Sequence, residues 1–174
     1  METVIGVISA GAVLLVIAGA QKMIDPWPAA TALRNTGLPS SRSVVRVGAA
    51  VEVLLGAAFL VFGSSVLSLA IAAVYLAFTA FVALAMRAGV DGSCGCFGRE
   101  DTPPSSLHIA ANLGLAAVAV VYAMGDAAAP VDVVAQVSFA SLSLIAATGV
   151  LVALLIAVYS LVPRLFAALH LAHP

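Results

Sequence analysis

Five long apolar runs divide the sequence, and such runs restrict what a chain can become more than any other feature it carries. They cover about Thr3 to Ala20, Val44 to Phe62, Val66 to Met86, Leu107 to Met124 and Val137 to Leu161. Crossing a hydrocarbon core of roughly 30 Å as a helix takes about 20 apolar residues. Each run is continuous and rich in alanine and leucine. Barrel strands alternate in polarity, so helices are predicted. Composition agrees: 63% of the 174 residues are hydrophobic and 9% charged, where soluble domains carry about a quarter charged residues. The expected fold is an all-α polytopic transmembrane bundle of four to five spans, at about 3–20, 44–62, 66–86, 107–124 and 137–161. Residues 1–174 are expected to form one integral membrane domain whose main partner is the lipid bilayer.

The first run invites comparison with a signal peptide, because Ala18-Gly19-Ala20 has the small-x-small form of a cleavage site. Met1-Glu2 supplies an acid where a signal peptide carries positive charge. An uncleaved first span is expected.

The connections are unequal. Gly63-Ser64-Ser65 makes a tight turn, and Gly125 to Gln136 is a short linker containing Pro130, Asp126 and Asp132. The two long polar connections are 21–43 and 88–106, which an alternating topology puts on one face. The first holds Pro26-Trp27-Pro28, then a half-helix expected over Ala29 to Asn35. Trp27 suits the headgroup level. Arg164 to Pro174 reads as an interfacial tail. Lys22, Arg34, Arg42, Arg46, Arg87, Arg99 and Arg164 all fall on the side of the long connections. The positive-inside rule then puts that side in the cytoplasm of a bacterial plasma membrane. No basic run for nucleic acid is present.

The chain has two cysteines, in the segment Asp91-Gly92-Ser93-Cys94-Gly95-Cys96-Phe97-Gly98-Arg99. Two is too few for a stapled scaffold, so the pair reads as a local site. A disulfide needs its Cα atoms within about 4.4–6.8 Å, and Gly95 between the cysteines permits such closure under strain. Strained, exposed disulfides tend to be labile or catalytic. Arg99 and the start of the fourth span favour thiolate. Thiol–disulfide exchange is the chemistry this supports, against inert loop thiols as the bland alternative. A soft metal is the other alternative, with Cys94, Cys96 and His108 as ligands.

Polar residues inside the spans extend the candidate site. Glu52 lies about 12 Å from the start of the second run at 1.5 Å per residue, a depth at which ionisable groups face a bundle interior or a cavity. Gly48 and Gly56 stand one turn either side of it, which suits close helix contact. His108 and Asn112 share a face of the fourth span, Thr79 lies level with Glu52, and Arg87 closes the third span. A polar vestibule of Glu52, His108, Asn112, Arg87, Arg46 and Lys22 beneath the cysteines is one expectation. The bland expectation, preferred for Lys22, Arg46 and Arg87, is helix-packing hydrogen bonds together with snorkelling of lysine and arginine to the interface.

Lys22-Met23-Ile24-Asp25-Pro26, Gly37-Leu38-Pro39, Glu52 and Cys94-Gly95-Cys96-Phe97-Gly98 together resemble the MauE/DoxX-like redox-associated membrane proteins. The resemblance covers most of residues 1 to 124, and Cys-Gly-Cys-Phe-Gly is its specific part. It implies a thioredoxin-like partner, work in maturing disulfide-containing exported proteins, and Cys94 and Cys96 as the redox pair. One departure is Ala111 before Asn112, where the family pattern has arginine; His108 is the nearest replacement charge.

The expected function is thus a membrane thiol–disulfide redox protein, with a quinone or a partner protein supplying the other redox half. Cys94 and Cys96 carry it, and Glu52, His108, Asn112, Arg87 and Arg99 form the polar shell. A soft-metal binder or transporter and a non-catalytic subunit of a membrane complex are the alternatives. Charge puts the cysteines in the cytoplasm, whereas oxidation of exported proteins needs them outside.

Overall fold

The computed structural model of the chain describes residues 2–90, 103–125, 129–135 and 139–160. Its helices are α1 (Glu2–Ile24), α2 (Trp27–Asn35), α3 (Arg42–Phe62), α4 (Ser65–Arg87), α5 (Ser106–Ala123), α6 (Pro130–Ala135) and α7 (Phe139–Ser160). No strand occurs among the described residues. The protein is an all-α polytopic bundle. Among the described residues four helices are long and apolar enough to cross a membrane: Thr3–Ile24, Arg42–Phe62, Ser65–Arg87 and Ser106–Ala123. α7 lies where the fifth run was expected at 137–161, and its 22 residues extend about 33 Å at 1.5 Å per residue.

α1 is the central element. Of its span 61% is buried, against 28% for α3 and α4 and 33% for α5. It packs chiefly on α3, and also on α5 and α7, while α4 pairs with α5. Ile8, Ala12, Leu14 and Leu15 of α1 meet Phe59, Ile71, Tyr75, Leu115 and Tyr122 in one core. Val47, Leu54, Val61, Val66, Leu69 and Leu76 stay exposed. Apolar residues facing outward suit a bundle whose solvent is lipid, where packing rather than water drives helix association.

The α1–α3 seam is backbone against backbone. A Cβ at Gly19 would stand 2.6 Å from the Ala49 carbonyl oxygen, and one at Gly56 would stand 2.6 Å from that of Ala12. Gly48, in contrast, would meet nothing within 4 Å. Of the two glycines flanking Glu52, then, Gly56 alone serves close contact with α1. Polar tethers join the other helices through backbone carbonyls. Tyr75 Oη donates to Gly11 O at 2.7 Å, Ser68 Oγ to Ala119 O at 2.6 Å, and Tyr122 Oη to Gly63 O at 2.8 Å.

Helix ends follow local chemistry. The Ser41 and Ser64 hydroxyls accept from Val44 N and Leu67 N at the starts of α3 and α4, as N-caps do. α2 stops at Gly37-Leu38-Pro39. Gly37 has φ 75°, and Leu38 N folds back to Leu33 O at 3.0 Å. That is a Schellman closure, and a following proline cannot prolong the helix. The expected half-helix over Ala29 to Asn35 begins at Trp27 instead. Within the 125–136 linker Pro130 opens the six-residue α6, a position where its missing N–H costs nothing.

One boundary differs in consequence. α1 was expected to end at Ala20, with Gln21 opening a polar loop, yet it continues to Ile24. The extra turn carries Lys22 on the helix.

Candidate functional site

Gly19 lets α3 approach so closely that the Glu52 Cβ lies 3.1 Å from where its own Cβ would be. One turn further along α1, Lys22 Nζ reaches both carboxylate oxygens of Glu52, at 2.8 Å to Oε1 and 2.7 Å to Oε2. Both residues are only 7% exposed. The ammonium also lies 4.8 Å from the centroid of the Phe78 ring of α4, a cation–π distance. Lys22 in the last turn of α1 further favours the negative end of that helix's dipole. Unpaired charges at such depth are costly. Here each neutralises the other.

Lys22 therefore makes an interhelical hydrogen-bonded contact and does not snorkel to the interface. Arg46 and Arg87 are exposed, as interfacial arginines are. Lys22 turns inward because Glu52 across the seam offers a counter-charge. The sequence signal for this was Glu52 itself, since an acid in mid-span calls for a cation on a neighbouring helix.

The ion pair forms the polar end of a cleft of about 290 Å³. α3 and α4 supply Val44, Val45, Gly48, Ala77, Phe78 and Phe81, and α2 with its C-terminal turn supplies Ala29, Leu33 and Leu38. α2 is held in place at its N-terminal residue, Trp27. Asp25 Oδ1 accepts from Trp27 N at 3.2 Å, and the Arg42 guanidinium stacks 4.2 Å from the Trp27 ring centroid. Lys22-x-x-Asp25-Pro26 thus combines two tasks: the lysine forms the ion pair, and Asp25-Pro26 turns the chain into α2.

On α5, His108 and Asn112 are both buried. His108 Nδ1 lies 2.8 Å from Ser105 Oγ. Thr79 Oγ1 donates to Tyr75 O of its own helix at 3.0 Å. Cys94, Cys96 and Arg99 lie outside the described residues. Among the described residues no group of three or more His, Cys, Asp or Glu side chains gathers as a metal site.

Four apolar crossings around a buried Lys–Glu pair define a multi-pass helical membrane protein with a polar centre enclosed in its bundle. The chain belongs to the MauE family: the family model described as methylamine utilisation protein MauE matches residues 2–125. The match takes in α1 to α5 and stops before α6. No curated protein and no solved structure matches the chain.

Proposed function

We propose that the protein is a thiol–disulfide redox protein of the bacterial plasma membrane, acting with a thioredoxin-like partner on processes of the methylamine-utilisation type. What supports this above all is Cys94-Gly95-Cys96, which holds both cysteines of the chain, in a protein of the MauE family. The thiolate of one cysteine attacks a disulfide of the partner and forms a mixed disulfide. The second cysteine then displaces the partner's thiol. Two electrons pass to the partner, which leaves as a dithiol, and Cys94 and Cys96 are left as a disulfide. The reverse sequence oxidises the partner. In this proposal connections 21–43 and 88–106 share one face, and Glu52, His108, Asn112, Arg87 and Arg99 line the polar side beneath it.

The test is the redox state of Cys94 and Cys96 in intact cells, read with a membrane-impermeant thiol-reactive mass tag. Labelling that appears only after reduction, without permeabilisation, is the result expected for an exchange site on the outer face. Labelling after permeabilisation, in a pair that also forms a mixed disulfide trapped by Cys94→Ser or Cys96→Ser, supports exchange on the cytoplasmic face. Thiols that stay reduced, form no mixed disulfide and retain a soft metal in stoichiometric amount would overturn the proposal.

A further inference from the structure

The cleft at the Lys22–Glu52 pair has three properties that together specify a ligand. Its volume of about 290 Å³ lies at the low end of small-molecule sites, which run from about 300 to 1,000 Å³. It holds a single headgroup, not a whole lipid. Its polar end is electrically neutral, because the ammonium and the carboxylate cancel. A charged headgroup has no net counter-charge to meet there. An ammonium carries three donors, and two of those on Lys22 go to Glu52. The third meets no oxygen or nitrogen acceptor among the described residues, only the nearby face of the Phe78 ring, so the site offers a hydrogen bond to a carbonyl oxygen beside that ring. Phe78 and Phe81 add flat aromatic surface.

The mouth of the cleft is apolar. Val44 is 48% exposed, and Gly48 and Ala77 are exposed beside it. A ligand entering there comes from the hydrocarbon, between α3 and α4. A small neutral ring bearing carbonyls, attached to an apolar tail, meets all of these demands.

We propose that this cleft binds the headgroup of a lipid-soluble quinone, with Lys22 donating to a ring carbonyl and the tail leaving past Gly48. The purpose of the site rests on the thiol-exchange proposal, though binding itself does not. Closing a disulfide from two thiols releases two electrons and two protons. Converting a quinone to its quinol consumes two electrons and two protons. The quinone is thus a balanced oxidant for a dithiol at the membrane, and the Glu52 carboxylate beside it is a proton-carrying group.

The experiment titrates the purified full-length protein, in detergent micelles, with decyl-ubiquinone and separately with a short-chain naphthoquinone. Decylbenzene serves as a tail without a headgroup. The expected result is saturable binding of at least one quinone, one per chain, and none of decylbenzene. Gly48→Phe fills the mouth, and because a Cβ there meets nothing within 4 Å the fold is retained; it weakens binding at least tenfold. Lys22→Met weakens quinone binding similarly by removing the donor, whereas the Cys94→Ser/Cys96→Ser variant binds as the parent does. Equal binding of decylbenzene, binding indifferent to Gly48→Phe, or no saturable binding of either quinone would overturn the site. Binding retained in a protein whose cysteines exchange with nothing would sink the redox proposal and leave the site standing. Exchange without quinone binding would do the opposite.

Discussion

Lys22 and Glu52 lie 30 residues apart in the chain, and the ammonium of one bonds both carboxylate oxygens of the other at 2.8 and 2.7 Å. The pair is enclosed where α1 and α3 meet with no side chain at Gly19 to separate them. An ion pair so placed is held together by what surrounds it as much as by its own attraction, and this makes its loss asymmetric.

Removing either partner leaves the other charged and buried. Lys22→Met or Glu52→Leu alone should lower unfolding stability by about 3–5 kcal/mol, the usual cost of an uncompensated buried charge. The double variant Lys22→Met/Glu52→Leu should recover much of that loss. Thermal unfolding in detergent, run as a double-mutant cycle, measures both. Additive single losses would contradict the pairing.

The three glycines of this region should rank by the space in front of them. Gly19→Ala and Gly56→Ala press a methyl onto a carbonyl oxygen at 2.6 Å and should cost about 1–3 kcal/mol, as overpacking does. Gly48→Ala meets open space and should be neutral or slightly stabilising, since alanine is the better helix former. Midpoint temperatures of the three variants decide it.

Tyr122→Phe removes the hydroxyl that donates to Gly63 O at 2.8 Å but keeps the ring, which packs edge-on against Phe59 at 5.2 Å. A loss of about 0.6–1.7 kcal/mol is expected, the range for interhelical hydrogen bonds in membranes. Tyr122→Ala should cost several times more. Comparable losses for the two would show that the hydroxyl, not the ring, holds α5 to the α3–α4 turn.

Trp27→Ala or Arg42→Ala removes the stack between the start of α2 and the start of α3. At an exposed site this is worth about 0.5–1 kcal/mol. Hydrogen exchange of the α2 amides should speed up about twofold to fivefold, the equilibrium equivalent of that energy, with the exchange of α1 amides unchanged.

The crossings were legible because a membrane span is a local property: length and apolarity suffice, and each expected run coincides with a long apolar helix among the described residues. The depth of Glu52 was legible for the same reason. Its partner was not. Gln21 and Lys22 are polar, so they read as the start of a loop, and the carboxylate 30 residues away with the Phe78 ring holds Lys22 in the bundle. Gly19 was equally opaque. As part of Ala18-Gly19-Ala20 it resembles a processing signal, while its small size is taken up by contact with Ala49 and Glu52. Gly48 and Gly56 looked alike by spacing, yet Gly56 faces α1 and Gly48 lines the cleft. Gly37-Leu38-Pro39 stood out only through the family resemblance, and its geometry gives it a local task as the stop of α2.

The same pair also constrains how the protein is made. α1 reaches the membrane ahead of α3, so Lys22 spends that interval without its carboxylate. Its position three residues from Asp25 lets the long side chain extend to the interface meanwhile. Glu52, ten residues inside α3, has no such escape, and its entry into the bilayer depends on a cation already waiting. Biosynthesis from the N-terminus provides it in that order. A circularly permuted chain that delivered α3 first would present a mid-span acid with nothing to receive it.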